Sequence, residues 1–463
     1  MPLSKSPAPP SNTHLTHYKT LGLLLTLYLA QGLPAGFITQ ALPAILREYK
    51  VSLVAIGWSG LILVPWGLKF LWATVVDGYY SQKIGRAKSW ILPMQGLSIV
   101  ILVAVAFFEP HNLAQTSSVM TLYGMLFTLS LIGATHDVAT DGLATRLLKT
   151  AIAPKEPLTH DMPAPDSVTQ TTNHHHRQSQ GNAVQVIGYR LGLIIGGGVL
   201  LMLLEQWGWR NSFLAMAALV AMNTVPIVFF KEHTHTSVEP PKKQVQVAKS
   251  GSFKALKNYL SHHYQYFWSS REMLAWLGVL LTFKIADGIS SGMVKPMMVD
   301  VGLNLQQIGF WATILGSAAS VAGAGVATIL MKRLTRFTSL LYFNLAQALT
   351  TGLYGLVAYG FYHQLLTDFL WLYVVNALEH FCASLALIAM LTTIMHYSRP
   401  ANAGSDFTVQ VCLLTVLGGS AHFASGYMAH FLGYQWHFLV SMLIGFVCLA
   451  PIIYWHKLQS NEK

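Results

Sequence analysis

Twelve apolar runs, each near the length that crosses a lipid bilayer, leave this chain few ways to fold. They cover residues 20–46, 53–76, 89–108, 118–148, 183–204, 211–230, 273–299, 306–331, 338–360, 368–397, 405–432 and 436–455. A spanning helix needs about 20 mainly apolar residues, and inside hydrocarbon only a helix or a closed barrel satisfies its own backbone. Continuous runs of this length predict helices, so the expected fold is an all-α membrane protein, a bundle of 12 transmembrane helices. The charged residues, 10% of the chain, are far fewer than the roughly 25% of a soluble domain.

The net charge of +11 raises the question of a nucleic-acid partner, and the placement of the charges answers it. Lys83, Arg86, Lys88, Arg146, Lys149, Lys332, Arg333, Arg336 and Arg399 fall in loops on one side, with seven more between Lys231 and Arg271. The other side holds Arg47, Lys50 and Arg210. This is the asymmetry of the positive-inside rule, and it predicts both termini in the cytoplasm. The basic excess therefore records topology, and no nucleic-acid partner is expected. Residues 1–17 are polar and lack an apolar core followed by a small-residue cleavage site, so no cleaved signal peptide is expected. Cys382, Cys412 and Cys448 lie inside expected helices without metal-ligand spacing and read as packing residues. No metal and no cofactor is expected.

Two polar stretches interrupt the pattern, 150–182 with the run His174-His175-His176, and 231–272. The histidine run reads more simply as a solvated loop than as a metal site, because such tracts are compositional signals. The second stretch divides the chain into an N-terminal tail (1–19), a six-helix bundle (20–230), a cytoplasmic central loop (231–272), a second six-helix bundle (273–456) and a C-terminal tail (457–463). An internal repeat supports the division. Ala30-Gln31-Gly32-Leu33-Pro34-Ala35-Gly36 is echoed by Ala286-Asp287-Gly288-Ile289-Ser290-Ser291-Gly292, and Ser52-Leu53-Val54-Ala55-Ile56-Gly57 by Asn304-Leu305-Gln306-Gln307-Ile308-Gly309. Transporters built from two repeated halves place their substrate near the midplane, where the halves meet.

An ionisable side chain at the bilayer centre costs about 2.5–3.5 kcal/mol on insertion scales. This chain has several. His136, Asp137, Lys284, Asp287, Glu379 and His380 fall near the midplane; Lys69, Asp141, Arg190 and Asp406 fall nearer the cytoplasmic end. Asp137 and Asp141 share a helix face, and Arg190 enters at a similar depth, which suggests a carboxylate–guanidinium cluster. That cluster serves either as an ion pair positioning two helices or as a carboxylate that titrates as the protein changes state; both readings stand. Lys284 and Asp287, three residues apart, read as a cavity-facing pair. Glu379 and His380 are adjacent and point about 100° apart, so at most one is expected to face the cavity centre; Glu379 is the better proton carrier. Trp58, Trp66, Trp72 and Trp311 fit interface belts or helix packing. The chain contains no GxxxxGK[ST] or HExxH motif, so neither ATP hydrolysis nor enzymatic activity is expected.

Trp72-Ala73-Thr74-Val75-Val76-Asp77, followed after a spacer by Gly85-Arg86-Ala87-Lys88, resembles the signature loop of the major facilitator superfamily. The segments Pro65 to Asp77, His136 to Arg146, Gly181 to Arg190, Lys284 to Gly288 and Leu378 to Val409 resemble its AmpG-like branch of muropeptide permeases, acetyl-CoA transporters and RhtX/FptX siderophore importers. Gln31-Gly32-Leu33-Pro34, Gly36-Phe37 and Thr39-Gln40-Ala41-Leu42-Pro43 look most like the siderophore importers. His136 stands where Gln is usual in that branch, and Cys382-Ala383-Ser384 replaces a glycine-rich segment. The resemblance implies an inner-membrane secondary transporter working by alternating access. It would import an anionic, iron-loaded siderophore delivered by an outer-membrane receptor, coupled to protons. Lys69, Arg190, Lys284 and Gln31 would line the cavity, and Asp137, Asp141, Asp287 and Glu379 would carry protons. Asp77, Gly85 and Arg86 would gate. The alternatives are a muropeptide permease and, less favoured, a non-transporting receptor that signals through residues 231–272.

Overall fold

A computed structural model describes residues 13–150, 184–232, 265–399 and 403–461. The histidine run and most of the central loop lie outside the described residues. Among the described residues all regular structure is helical, and ten stretches are long and apolar enough to cross a membrane.

Two of these are of double length, Val184–Phe229 with 46 residues and Asp406–Gln459 with 54. At 1.5 Å per residue even the shorter would run about 69 Å, more than twice a hydrocarbon core of roughly 30 Å. Each is broken by a glycine. Gly208 sits at φ 73°, ψ 174° and Gly433 at φ 72°, ψ 163°, a conformation open essentially to glycine alone. Counting each double stretch as two gives twelve segments: α1 (Tyr18–Glu48), α2 (Leu53–Leu71), α3 (Lys88–Ala106), α4 (Thr116–Ala144), α5 (184–207), α6 (209–229), α7 (Arg271–Val301), α8 (Leu305–Leu330), α9 (Arg336–Tyr362), α10 (Leu370–His396), α11 (406–432) and α12 (434–459). Large apolar side chains such as Phe229 and Phe431 project outward, about four-fifths exposed.

The repeat in the sequence is a repeat of packing. Gly32 and Gly36 bring α1 onto the backbone of α5, where an added Cβ would lie 2.4 Å from the Tyr189 carbonyl and 2.6 Å from that of Leu193. Their counterparts Gly288 and Gly292 bring α7 onto α11, at Gly418 and Ser425. The second repeat works between the six-helix sets. Ser52 and Asn304 each cap the helix that follows, accepting a hydrogen bond from Ala55 N at 3.2 Å and Gln307 N at 2.7 Å. Five residues on, Gly57 meets α11 at Phe423 and Gly426, and Gly309 meets α5 at the Gly198 carbonyl. The glycines of the first repeat thus seal each set internally, and those of the second join the two sets.

These junctions lie at the end of the bundle away from the chain termini. There a single apolar core runs through both sets, including Phe37, Ile45 and Phe213 from the first and Met297, Tyr354 and Phe438 from the second. Toward the terminal end the cores are separate, one around Trp276, Met390 and Trp455 and others around Leu27, Ile91 and Leu143 or Leu24 and Tyr28. The molecule is therefore closed at the far end and divided at the terminal end. On that terminal side the α10–α11 connection is clamped by the fully buried Asp406, which accepts from Arg399 Nε at 2.8 Å, Nη2 at 2.9 Å and its backbone N at 3.0 Å.

Candidate functional site: an inter-half cavity and a charge cluster beside it

A cavity of about 470 Å³ opens between the two sets. α1 contributes Thr39 and Gln40, α2 Ser59 and Gly60, and α5 Tyr189; α7 contributes Lys284, Asp287, Ser291 and Lys295. α10 adds Asn376, Glu379 and His380, and α11 adds Thr415 and His422. On α7 the positions 284, 288, 291 and 295 recur at helical spacing and so form one stripe. α7 breaks at Lys284, whose φ of −94° and ψ of 1° lie outside the helix. The ammonium there donates to Asp287 Oδ2 at 2.7 Å, while Gln347 Nε2 donates to Asp287 Oδ1 at 2.8 Å. His380 Nδ1 and Glu379 Oε2 stand 3.0 Å apart. The sequence suggested that at most one of this adjacent pair faces the cavity. Both line it, because the imidazole folds back onto the neighbouring carboxylate. Two bonds cross between the sets within the cavity: His422 Nε2 to Ser59 Oγ at 3.0 Å, and Lys295 Nζ donating to Gln40 Oε1.

The acidic groups of α4 form a different centre, inside the first set. Asp137 is bonded to Lys69, whose ammonium lies 5.5 Å from the centre of the Trp66 ring. Asp141 accepts from the Tyr28 hydroxyl at 2.8 Å and faces Gln185 Nε2 at 3.4 Å. Arg190, the partner expected from the sequence, has no ion pair among the described residues, and Lys69 takes its place. α5 turns Gln185 and Tyr189, four residues apart, toward Asp141 and the cavity, which leaves Arg190 rotated about 100° away. Next to this cluster Gln31 Nε2 and His136 Nδ1 stand 3.0 Å apart. With Gln95 and Ser130 they border a pocket of about 20 Å³. Gln31 Oε1, His136 Nε2, both amide atoms of Gln95 and Ser130 Oγ are buried there without a hydrogen-bond partner among the described residues. The space holds about one water, and the polar lining is of the kind that retains one.

Of the cations and amide expected to line the cavity, Lys284 does so, whereas Lys69, Arg190 and Gln31 do not. Asp287 and Glu379 line it; Asp137 and Asp141 belong to the separate cluster. Lys295 escaped the sequence reading because it sits within an apolar run, although its spacing of eleven from Lys284 marks the shared stripe.

At the terminal side, Gly85 takes φ 111°, and a Cβ there would come within 2.5 Å of the Glu232 carboxylate. Glu232 accepts from the backbone N of Ala87 at 3.0 Å and of Lys88 at 3.2 Å, at the start of α3, and from Arg146 Nη2 at 3.2 Å. A carboxylate there satisfies amide groups that the first turn leaves unpaired. Glu232 was missed as part of a loop. Arg86 lies 5.8 Å from the centre of the Tyr80 ring; the expected partner side chain, Asp77, lies outside the described residues. At the far end Arg47 Nε meets Asp300 Oδ1 at 2.6 Å, and the Tyr434 hydroxyl donates to Asp300 Oδ2 at 2.7 Å. This latch joins α1 to α7 and α12.

Comparison with known proteins places this geometry. Residues 20–153 match the family model described as acetyl-coenzyme A transporter 1. The chain is 26% identical over 402 residues to the anhydromuropeptide permease of Escherichia coli strain K12, covering 85% of this chain and 71% of the permease. It is 21% identical over 440 residues to putative transporter AmpG 4 of Rickettsia felis, covering 94% and 96%. A POT family transporter, solved with a thioalcohol-conjugated peptide, superposes with a TM-score of 0.65 at 13% identity over 95% of this chain and 96% of its own. The chain thus has the all-helical fold of solved transporters such as this one, and the relatives it matches are permeases and transporters. Its relatives favour the muropeptide alternative over the siderophore reading drawn from the first helix.

Proposed function

We propose that this protein is an inner-membrane permease that imports a muropeptide, a sugar–peptide fragment of the cell wall, from the periplasm to the cytoplasm. The observation that carries this reading is the similarity to the anhydromuropeptide permease over 85% of the chain, a length that reaches into both helix sets that wall the cavity. The loop charges orient the closed far end to the periplasm, with the Arg47–Asp300 latch shut and the cavity accessible toward the cytoplasm. Opening the latch and closing the terminal side exposes the same cavity to the periplasm, which is alternating access. Asp287 and Glu379, within the cavity, and Asp137 and Asp141, beside it, are the groups we assign to proton coupling.

Deleting the gene in its own host tests the cargo. Muropeptide fragments are expected to accumulate outside the cytoplasm, while growth under iron limitation stays normal. Normal fragment recovery with a growth defect under iron limitation would overturn this reading in favour of a siderophore.

A further inference from the structure

Lys295 differs from the other basic residue on its stripe. Lys284 is neutralised by Asp287 at 2.7 Å. Lys295 is 8% exposed, and Gln40 Oε1, an uncharged acceptor, is its hydrogen-bond partner; it has no ion pair among the described residues. An ammonium has three donors, and this one borders a 470 Å³ cavity. A buried cation without a counter-charge is unfavourable in hydrocarbon surroundings. An acidic group entering the cavity meets a compensated pair at Lys284 and Asp287 and net positive charge at Lys295.

From this geometry we infer that Lys295 anchors a carboxylate of the transported molecule, and that this carboxylate replaces Gln40 on the ammonium. The inference rests on the cavity being the transport site and adds the substrate's charge. It also ties occupancy to gating. Gln40 and Lys295 lie on α1 and α7, the helices that carry Arg47 and Asp300 seven and five residues further on, about one and a half to two turns. A ligand that displaces Gln40 therefore removes a bond between the sets just beneath the latch.

The test is ligand-induced thermal stabilisation of the purified full-length protein. Two pairs of probes are used: an anhydromuropeptide against the same compound with its carboxyl groups converted to methylamides, and citrate against trimethyl citrate. Wild type is expected to respond to an acid form at ~tenfold lower concentration than to its neutral form, the scale of one hydrogen bond to a charged partner. Lys295→Gln is expected to lose that preference and Lys295→Arg to keep part of it. Without ligand, Lys295→Gln is expected to melt at or above the wild-type temperature, since it removes an unpaired buried charge; Lys295→Met gives the same comparison if the glutamine variant does not fold. Retention of the preference in Lys295→Gln overturns the anchor, as does a wild type that prefers neither acid. A wild type that binds both muropeptide forms equally keeps the proposed cargo and loses the anchor. One that prefers citrate and ignores both muropeptide forms keeps the anchor and loses the cargo.

Discussion

Asp137→Asn is expected to reduce transport at least ~100-fold and to lower stability by about 3–5 kcal/mol, because it leaves Lys69 in the bundle beside a neutral amide. Removing one partner of a buried pair costs more than removing both. The double variant Lys69→Met/Asp137→Leu is therefore expected to regain most of the lost stability, a strongly non-additive cycle. It is not expected to regain transport if the carboxylate carries a proton. Thermal unfolding in detergent together with uptake in vesicles separates the two effects. Asp137→Asn melting like wild type would mean that Lys69 is not held by this carboxylate. Full transport in the double variant would assign the pair to structure alone.

The second large effect is steric. Gly60 on α2 faces α11 across the junction, and an added Cβ would lie 2.4 Å from the Gly419 carbonyl and 2.8 Å from the Phe423 amide. Both neighbours are backbone and cannot rotate aside, so Gly60→Val forces the two helices apart. The separate cores toward the terminal end are untouched, and the protein is expected to fold. What it loses is the closed far end. Uptake is expected to fall to background, while a cysteine placed at Thr39, in the cavity wall, becomes reactive to an impermeant thiol reagent added from the periplasmic side. Thr39→Cys reactivity unchanged by Gly60→Val would show that this contact does not close the cavity.

Much of the architecture was legible because membrane physics writes it into the sequence in long stretches. The apolar runs 183–204 and 211–230 fall on either side of Gly208, and 405–432 and 436–455 on either side of Gly433, although the helices are nearly continuous across both glycines. The repeat was legible as well, since Gly32 and Gly288, and Gly57 and Gly309, occupy equivalent contacts. The site was legible where the pair is local: Lys284 and Asp287 are three residues apart on one helix and do meet. It was not legible where partners come from different helices. Nothing in spacing tells that Lys69 of α2 rather than Arg190 of α5 reaches Asp137, because that depends on the rotation of α5 about its axis. Lys295 was hidden for another reason: one charge in an apolar run barely moves a hydropathy average. The cargo was least legible, since the first-helix run Gln31 to Pro43 pointed to siderophores, while similarity over 85% of the chain favours muropeptides.

The most direct test of the central claim is uptake of a radiolabelled anhydromuropeptide by the purified protein in proteoliposomes under an inward-directed proton gradient. Accumulation above the external concentration is expected, abolished by a protonophore and by Glu379→Gln. Saturable binding without accumulation would contradict it and identify a receptor rather than a permease.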